Sequence, residues 1–298
     1  MSKITGIDIS KQTFDCSITM GDGKVVHKKF SNDIQGFEKL REFLSEDSHV
    51  LMEASGAYYY RLAYYLYGHE IKVSVINPLV IRRFCQMRME RTKTDKKDAS
   101  RIREYGNSEQ YGLWKPEEES IVKMKQVSGL LDMIEKAINM YSNQMESYTQ
   151  MPGTDSYIIQ QLNDIILQHK ERRKILEAEL ADTALKNYKP TYRALLSIPG
   201  IGPKSAAMLI AITGNFTKFK HYKELCAYVG LEPRINDSGT SVRGRAYISK
   251  MGTARLRKLL YLCTWTARKA NIFCKEMYER LKAKAKPPMV ISIVFVKK

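Results

Sequence analysis

From Glu117 to about Lys186 the chain is written mainly in Lys, Glu, Gln, Met, Leu and Ile, and its apolar residues return at helical spacing in IVKMKQVSGLLDMI and IIQQLNDIILQHKERRKILEAEL. MPGT, Met151 to Thr154, interrupts this run, because proline and glycine end helices. Two long helices joined by a turn follow, an arm too narrow to enclose a core, which is expected to pack against a partner chain. Such an arm cannot be absorbed into a sheet, so it divides the chain into an N-terminal domain over 1–116, the coiled-coil-like arm over 117–188 and a C-terminal domain over 189–298.

The first of these blocks alternates short strand and helix patterns. KITGIDI, TFDCSITM and KVVHKKF read as a meander of strands, with GDG at Gly21 to Gly23 as a turn between the last two. The helical IQGFEKLREFL, the apolar HVLMEASG, the helical YYYRLAYYL and the alternating IKVSVI come next. That order predicts a mixed α/β sheet flanked by helices. Asn77-Pro78 opens a further helix, and DASRIREYG reads as another, closed by Gly106. Beyond Pro190 the patterns are helical except for the polar loop PRINDSGTSVRGRAYISKMG, so the C-terminal block is expected to be mostly helical.

With 49 Lys and Arg against 32 Asp and Glu in 298 residues, the formal charge is +17, which makes polyanions the default partner. Five cysteines show neither a CxxC pair nor histidines at ligand spacing, so no disulfide framework or zinc site is expected. No signal-like N-terminus and no run of about 18 apolar residues occurs, which places the chain in the cytosol, off the membrane.

Four carboxylates stand out against this basic background. Asp8 alternates with Ile7 and Ile9 and so points away from them. Glu53 ends a later strand, and Asp95 and Asp98, in TKTDKKDA, share one side of a helix start. Each alone has an ordinary explanation, such as an edge residue or a helix N-terminal acid. Together they can converge at one sheet edge, where like charges raise one another's pKa. Hard oxygen donors in that number suit Mg²⁺, and a pair of such ions can clamp the attacking and leaving oxygens of a phosphodiester. Lys93, Lys96 and Lys97 are the residues of the same stretch expected to meet phosphate.

In the C-terminal block, Ser238 lies in a loop crowded by Arg234, Arg243, Arg245, Lys250, Arg255 and Arg257. Guanidinium groups can stabilise a phosphoryl transition state and activate a hydroxyl, and they equally suit a loop that only binds DNA. IPGIGPKSAAMLIA, Ile198 to Ala211, resembles a helix-hairpin-helix, in which Gly200 and Gly202 free backbone N–H groups near Lys204 for a phosphate oxygen. The tyrosines after Glu53, from Tyr58 to Tyr67, are expected mostly in the core or an interface.

GIDISKQTFD, LMEASGAY and TKTDKKDA resemble the DEDD catalytic domain of a family of insertion-sequence transposases, the bridge-RNA-guided recombinases, whose fold is RuvC-like, that is, ribonuclease-H-like. The resemblance implies Asp8, Glu53, Asp95 and Asp98 as metal ligands. GLEPRINDSG followed by ISKMGTARLRKLLY resembles the C-terminal transposase domain of the same family and implies Ser238 as a nucleophile that joins DNA covalently. Asp237 stands where a small residue is common, which leaves Ser241 as the second choice. Further implications are donor and target double-stranded DNA as substrates, a guide (bridge) RNA that pairs with both, and a homo-oligomer, dimer or tetramer, sharing active sites between chains. The family pattern also implies that the apolar ISIVFV segment continues as a longer helix. Two other functions stay open on the residues alone: a metal-dependent junction-resolvase-like nuclease with no serine–DNA intermediate, and a non-catalytic nucleic-acid scaffold.

Overall fold

The computed structural model describes residues 3–20, 22–89, 94–234, 237–238, 242–243 and 247–297, with the backbone alone at 237–238, 242–243 and 297. The chain divides into two compact units, Met1–Pro116 and Glu117–Lys298.

The first unit runs β1 (Lys3–Ile9), β2 (Thr13–Thr19), β3 (Val25–Ser31), α1 (Ile34–Arg41), β4 (Ser48–Glu53), α2 (Tyr59–Gly68), β5 (Lys72–Ile76), α3 (Pro78–Met87) and α4 (Asp95–Ser108). Its strands form one mixed sheet in the order β3-β2-β1-β4-β5, with β1, β2 and β3 antiparallel and β4 and β5 parallel to β1. Alternation assigns the faces. Ile7, Ile9, Val50 and Met52 join Phe37 and Leu40 of α1 and Leu62 and Leu66 of α2 in one core, while Ile4 and Leu51 join Phe84 of α3 and Ile102 and Tyr105 of α4 in another. The sheet is thus sandwiched between two helical layers. Fully buried Phe14, Phe37 and Leu62 each contribute about 1.5–3 kcal/mol of transfer free energy.

Local chemistry fixes the helix starts. Asn77 caps α3 by accepting from the Leu79 amide at 2.9 Å, with Pro78 at the first helical position, as the Asn-Pro pair predicts. Thr94 caps α4 by accepting from the Lys97 amide at 3.3 Å. Gly106 does not close α4. The helix continues to Ser108, and a Cβ at Gly106 would stand 2.7 Å from both Ile4 and Leu51, so this glycine lets the helix lie down on the sheet. The tyrosines of α2 divide: Tyr59 is buried and Tyr65 packs against the core, whereas Tyr60, Tyr64 and Tyr67 are exposed, the latter two edge-on to Trp114.

The second unit holds α5 (Glu119–Thr149), α6 (Ser156–Asn187), α7 (Lys189–Leu196), α8 (Pro203–Thr213) and α9 (Tyr222–Val229). Then come the two-residue strands β6 (Pro233–Arg234), β7 (Asp237–Ser238), β8 (Val242–Arg243) and β9 (Tyr247–Ile248), followed by α10 (Ala254–Ala270), α11 (Ile272–Ala283) and α12 (Pro288–Lys297). The two long helices α5 and α6 turn at Gly153, whose φ of +83° suits glycine. Segments 117–188 and 189–298 share one core: Met124, Leu131 and Ile134 of α5 and Leu176 and Leu180 of α6 pack with Ala206–Ala211 of α8 and Leu256 of α10. The arm is too thin to bury its apolar stripe alone, and α8, apolar nearly all round, supplies the missing face. Among the described residues no helix is long and apolar enough to cross a membrane.

Candidate active site

Strand register brings the acids together. Gly6, two residues before Asp8, faces α4: a Cβ there would meet the Ala99 carbonyl oxygen and the Arg103 amide nitrogen at 2.3 Å. Asp8 shares that face by alternation. Gly6 pairs with Leu51 across β1 and β4, so the next same-face step sets Asp8 beside Glu53. The close approach at Gly6 holds α4 against the strand that carries Asp8, with Asp95 and Asp98 in the helix's first turn.

Electrostatics report the convergence. The Asp8 carboxyl is pushed up to about 6, first by burial and then by the negative charges of Asp98, Glu53, Asp95 and Asp15. The other three sequence-predicted acids are therefore close enough for their charges to be felt at Asp8. The fifth, Asp15, was missed by sequence reading. It lies directly opposite Asp8 in the β1–β2 hairpin, and its Oδ2 is 3.4 Å from the Lys29 ammonium. The signal that could have found it is the hairpin register of GIDISKQTFD.

Arg101 is the second residue that sequence reading passed over. It is buried, and its Nη1 donates to Asp98 Oδ1 at 2.6 Å. A buried guanidinium one helical turn after Asp98 offsets charge that would otherwise accumulate against the sheet. Lys96 and Lys97 are exposed beside this site. Burial first, and then the charges of Lys96 and Arg103, pull His27 of β3 below the usual histidine value. Lys93 lies outside the described residues.

The donor set is all oxygen, which fits a hard divalent cation. Among the described residues, no three His, Cys, Asp or Glu side chains form a ready-made metal-binding group. The carboxylates share a face and feel one another's charge, yet they must close in to share an ion, with Asp98 turning from or sharing Arg101.

In the second unit, Ser238 pairs with Val242, and Asp237 with Arg243, across the β7–β8 ribbon. Ser241 and Arg245 lie outside the described residues. Arg234 and Lys250 are exposed. Two other cations read as nucleic-acid contacts are engaged internally. Lys204 reaches Glu177 at 2.9 Å and also Glu135, and Arg255 Nε lies 2.6 Å from Asp132. Burial opposes the Lys204 charge, but the two carboxylates more than reverse it and raise its pKa. These pairs bind α8 and α10 to α5 and α6. The hairpin glycines also divide their roles. Gly200, at φ +108°, is pressed against Ala267 of α10, where a Cβ would stand 2.8 Å away, whereas Gly202 is the open N-cap of α8.

A mixed sheet that gathers Asp8 and Glu53 with the first turn of a covering helix is the arrangement of a RuvC-like DEDD domain, and a family model of the IS110-type DEDD transposase domain matches residues 5–150. A second model, described as "Transposase IS116/IS110/IS902 family", matches residues 192–279. A pilin gene-inverting protein of Moraxella lacunata is 31% identical over 86% of this chain and 80% of its own length. Transposases for the insertion sequence elements IS1328 of Yersinia enterocolitica and IS1111A of Coxiella burnetii are 25% and 26% identical over 87% of this chain, covering 82% and 76% of theirs. The chain belongs to the IS110/IS116 family of transposases, enzymes of DNA rearrangement.

Proposed function

We propose that this chain cuts and rejoins DNA strands to move or invert a DNA segment, with Asp8, Glu53, Asp95 and Asp98 holding Mg²⁺ and Ser238 as nucleophile. The observation that carries the metal assignment is the Asp8 carboxyl held at about 6 by burial and by charge from the other three acids, a repulsion that a divalent cation would relieve. When bound, such an ion polarises a phosphoryl oxygen and favours the leaving strand. The chain's own residues supply the rest. Asp8 and Glu53 offer oxygens from neighbouring strands, Asp95 and Asp98 offer them from α4, and Arg101 keeps Asp98 oriented. Exposed Lys96 and Lys97 meet the DNA backbone.

In the serine step, Ser238 Oγ bonds to phosphorus as the phosphorus–oxygen bond to the leaving strand breaks. The hydroxyl proton passes to solvent, and the leaving oxygen regains one. Attack by a strand hydroxyl on the serine ester reverses the balance and rejoins DNA without an external energy source. The family's pilin gene-inverting and transposase members support rearrangement as the outcome. A guide RNA pairing with donor and target DNA, and assembly of two or four chains through α5 and α6, complete this reading.

Trapping tests it. Incubated with labelled donor DNA, guide RNA and Mg²⁺, the chain is expected to give a covalent protein–DNA band on a denaturing gel, reduced at least about a hundredfold in Ser238→Ala. An adduct that survives Ser238→Ala and disappears in Ser241→Ala would move the nucleophile. Cleavage with no adduct in the unsubstituted chain would replace this reading with a resolvase-like nuclease, and binding without cleavage would replace it with a scaffold.

A further inference from the structure

Some cations of the second unit have a carboxylate partner. Lys123, Lys125, Lys186, Lys204, Lys218 and Arg255 lie within ion-pair distance of carboxylates of their own unit. Those at the junction of α10 and α11 do not. A cleft of about 460 Å³ is lined there by Arg268, Lys269, Lys275, Tyr278, Glu279 and Lys282, and among the described residues none of its four cations pairs with a carboxylate. Between 268 and 286 seven Lys and Arg face only two acids, Glu276 and Glu279. Helical spacing explains the gathering: Arg268 and Lys269 follow Trp265 by three and four residues on α10, and Tyr278, Glu279 and Lys282 follow Lys275 by three, four and seven on α11.

The aromatics give the cleft its second property. The Arg268 guanidinium carbon lies 4.6 Å from the Tyr278 ring centroid and 5.5 Å from that of Trp265. Trp265 is 53% exposed. A guanidinium held over ring faces keeps its in-plane N–H groups for an anion, and the indole beside it offers a surface on which a flat heterocycle can stack. Phosphate-binding cations beside an exposed indole suit an unpaired polynucleotide, because duplex bases have their faces covered.

We propose that this α10–α11 cleft binds an unpaired nucleic-acid strand, its phosphates on Arg268, Lys269, Lys275 and Lys282 and a base on Trp265. The choice of polyanion rests on the DNA-rearranging function proposed above. The binding itself needs neither the DEDD acids nor Ser238, so it is measured in chelator and fails or succeeds independently of strand cutting. The chain has two tryptophans, so Trp114→Phe leaves Trp265 as sole indole reporter.

In the full chain carrying that change, single-stranded DNA or RNA of about 20 nucleotides is expected to quench Trp265 fluorescence and bind more tightly than a duplex of equal length. Arg268→Glu with Lys275→Glu is expected to weaken single-strand binding at least about tenfold and to lower the salt dependence by about 0.7 in log–log slope per lost phosphate contact. Arg268→Lys, which keeps the charge and the fold but loses the planar fork, is expected to lose part of the affinity. The tighter of the DNA and RNA arms identifies the source of the strand. Undiminished affinity in the double variant with native circular dichroism would overturn the site. An unquenched Trp265, or a duplex bound as well as a single strand, would overturn the unpaired-strand assignment. Poly-glutamate competing as well as the oligonucleotides would assign the cleft to an acidic peptide instead.

Discussion

Asp8→Asn is expected to abolish Mg²⁺-dependent strand cutting, by at least about a hundredfold, while making the N-terminal unit more stable in chelator at pH 8. The two effects have one origin. Burial and the surrounding acids raise the Asp8 carboxyl from 3.8 to about 6, so the folded chain holds this proton more tightly than the unfolded one. Stability attributable to Asp8 therefore falls as pH rises from the ordinary carboxylate value to about 6, and stays at its lowered level above. At pH 8 the native residue carries the whole penalty and asparagine none. Below about pH 4 both are neutral when folded, and the advantage of asparagine disappears. Urea unfolding of both chains in chelator at pH 4 and pH 8 reads this difference. An asparagine variant no more stable at pH 8 would mean that the Asp8 charge is not disfavoured and would remove the main support for a shared metal. Excess Mg²⁺ is expected to stabilise the native chain and not the variant, because only a native-state ligand shifts the equilibrium.

The first unit was legible because its patterns are local. The strands KITGIDI and TFDCSIT and the Asn77-Pro78 helix start each follow from alternation or capping chemistry within a few residues. Asp8, Glu53, Asp95 and Asp98 were legible as a group because alternation and helical spacing fix which side each faces. Asp15 was not, because its place opposite Asp8 depends on hairpin register, in which a one-residue slip would turn it to the other face. Arg101 and Gly106 were hidden for a related reason. A buried arginine and a mid-helix glycine look like surface and cap residues until the packing of α4 on the sheet is known. In the second unit, Lys204 and Arg255 looked available for phosphate because their carboxylate partners, Glu135, Glu177 and Asp132, lie far away in sequence. The cleft cations of α10 and α11 were obscured in the same way, since charge count alone does not separate engaged lysines from free ones.

Gly6→Ala is expected to damage stability and site together, although no functional group is changed. An added Cβ would stand 2.3 Å from the Ala99 carbonyl oxygen and 2.3 Å from the Arg103 amide nitrogen, both backbone atoms of α4 that no side-chain rotation can move aside. The helix must lift from β1, at a cost of about 1–3 kcal/mol for the lost packing. Its first turn carries Asp95 and Asp98, and a displacement of about 1 Å at reacting groups can cost about a hundredfold in rate. A merely loosened fold and a displaced helix differ in one readout. If α4 moves away, Asp8 loses both burial and the repulsion of Asp98 and Asp95, so its pKa is expected to fall from about 6 toward the usual carboxylate value while the sheet stays folded. Carboxyl-carbon NMR titration of the chelator-treated chain follows that change directly. Gly112→Ala supplies the control, because a Cβ there meets no atom within 4 Å. It should alter stability by no more than about 0.5 kcal/mol. A Gly6→Ala chain with native stability, or one with activity lost and the Asp8 titration unmoved, would show that α4 does not set the position of the acids.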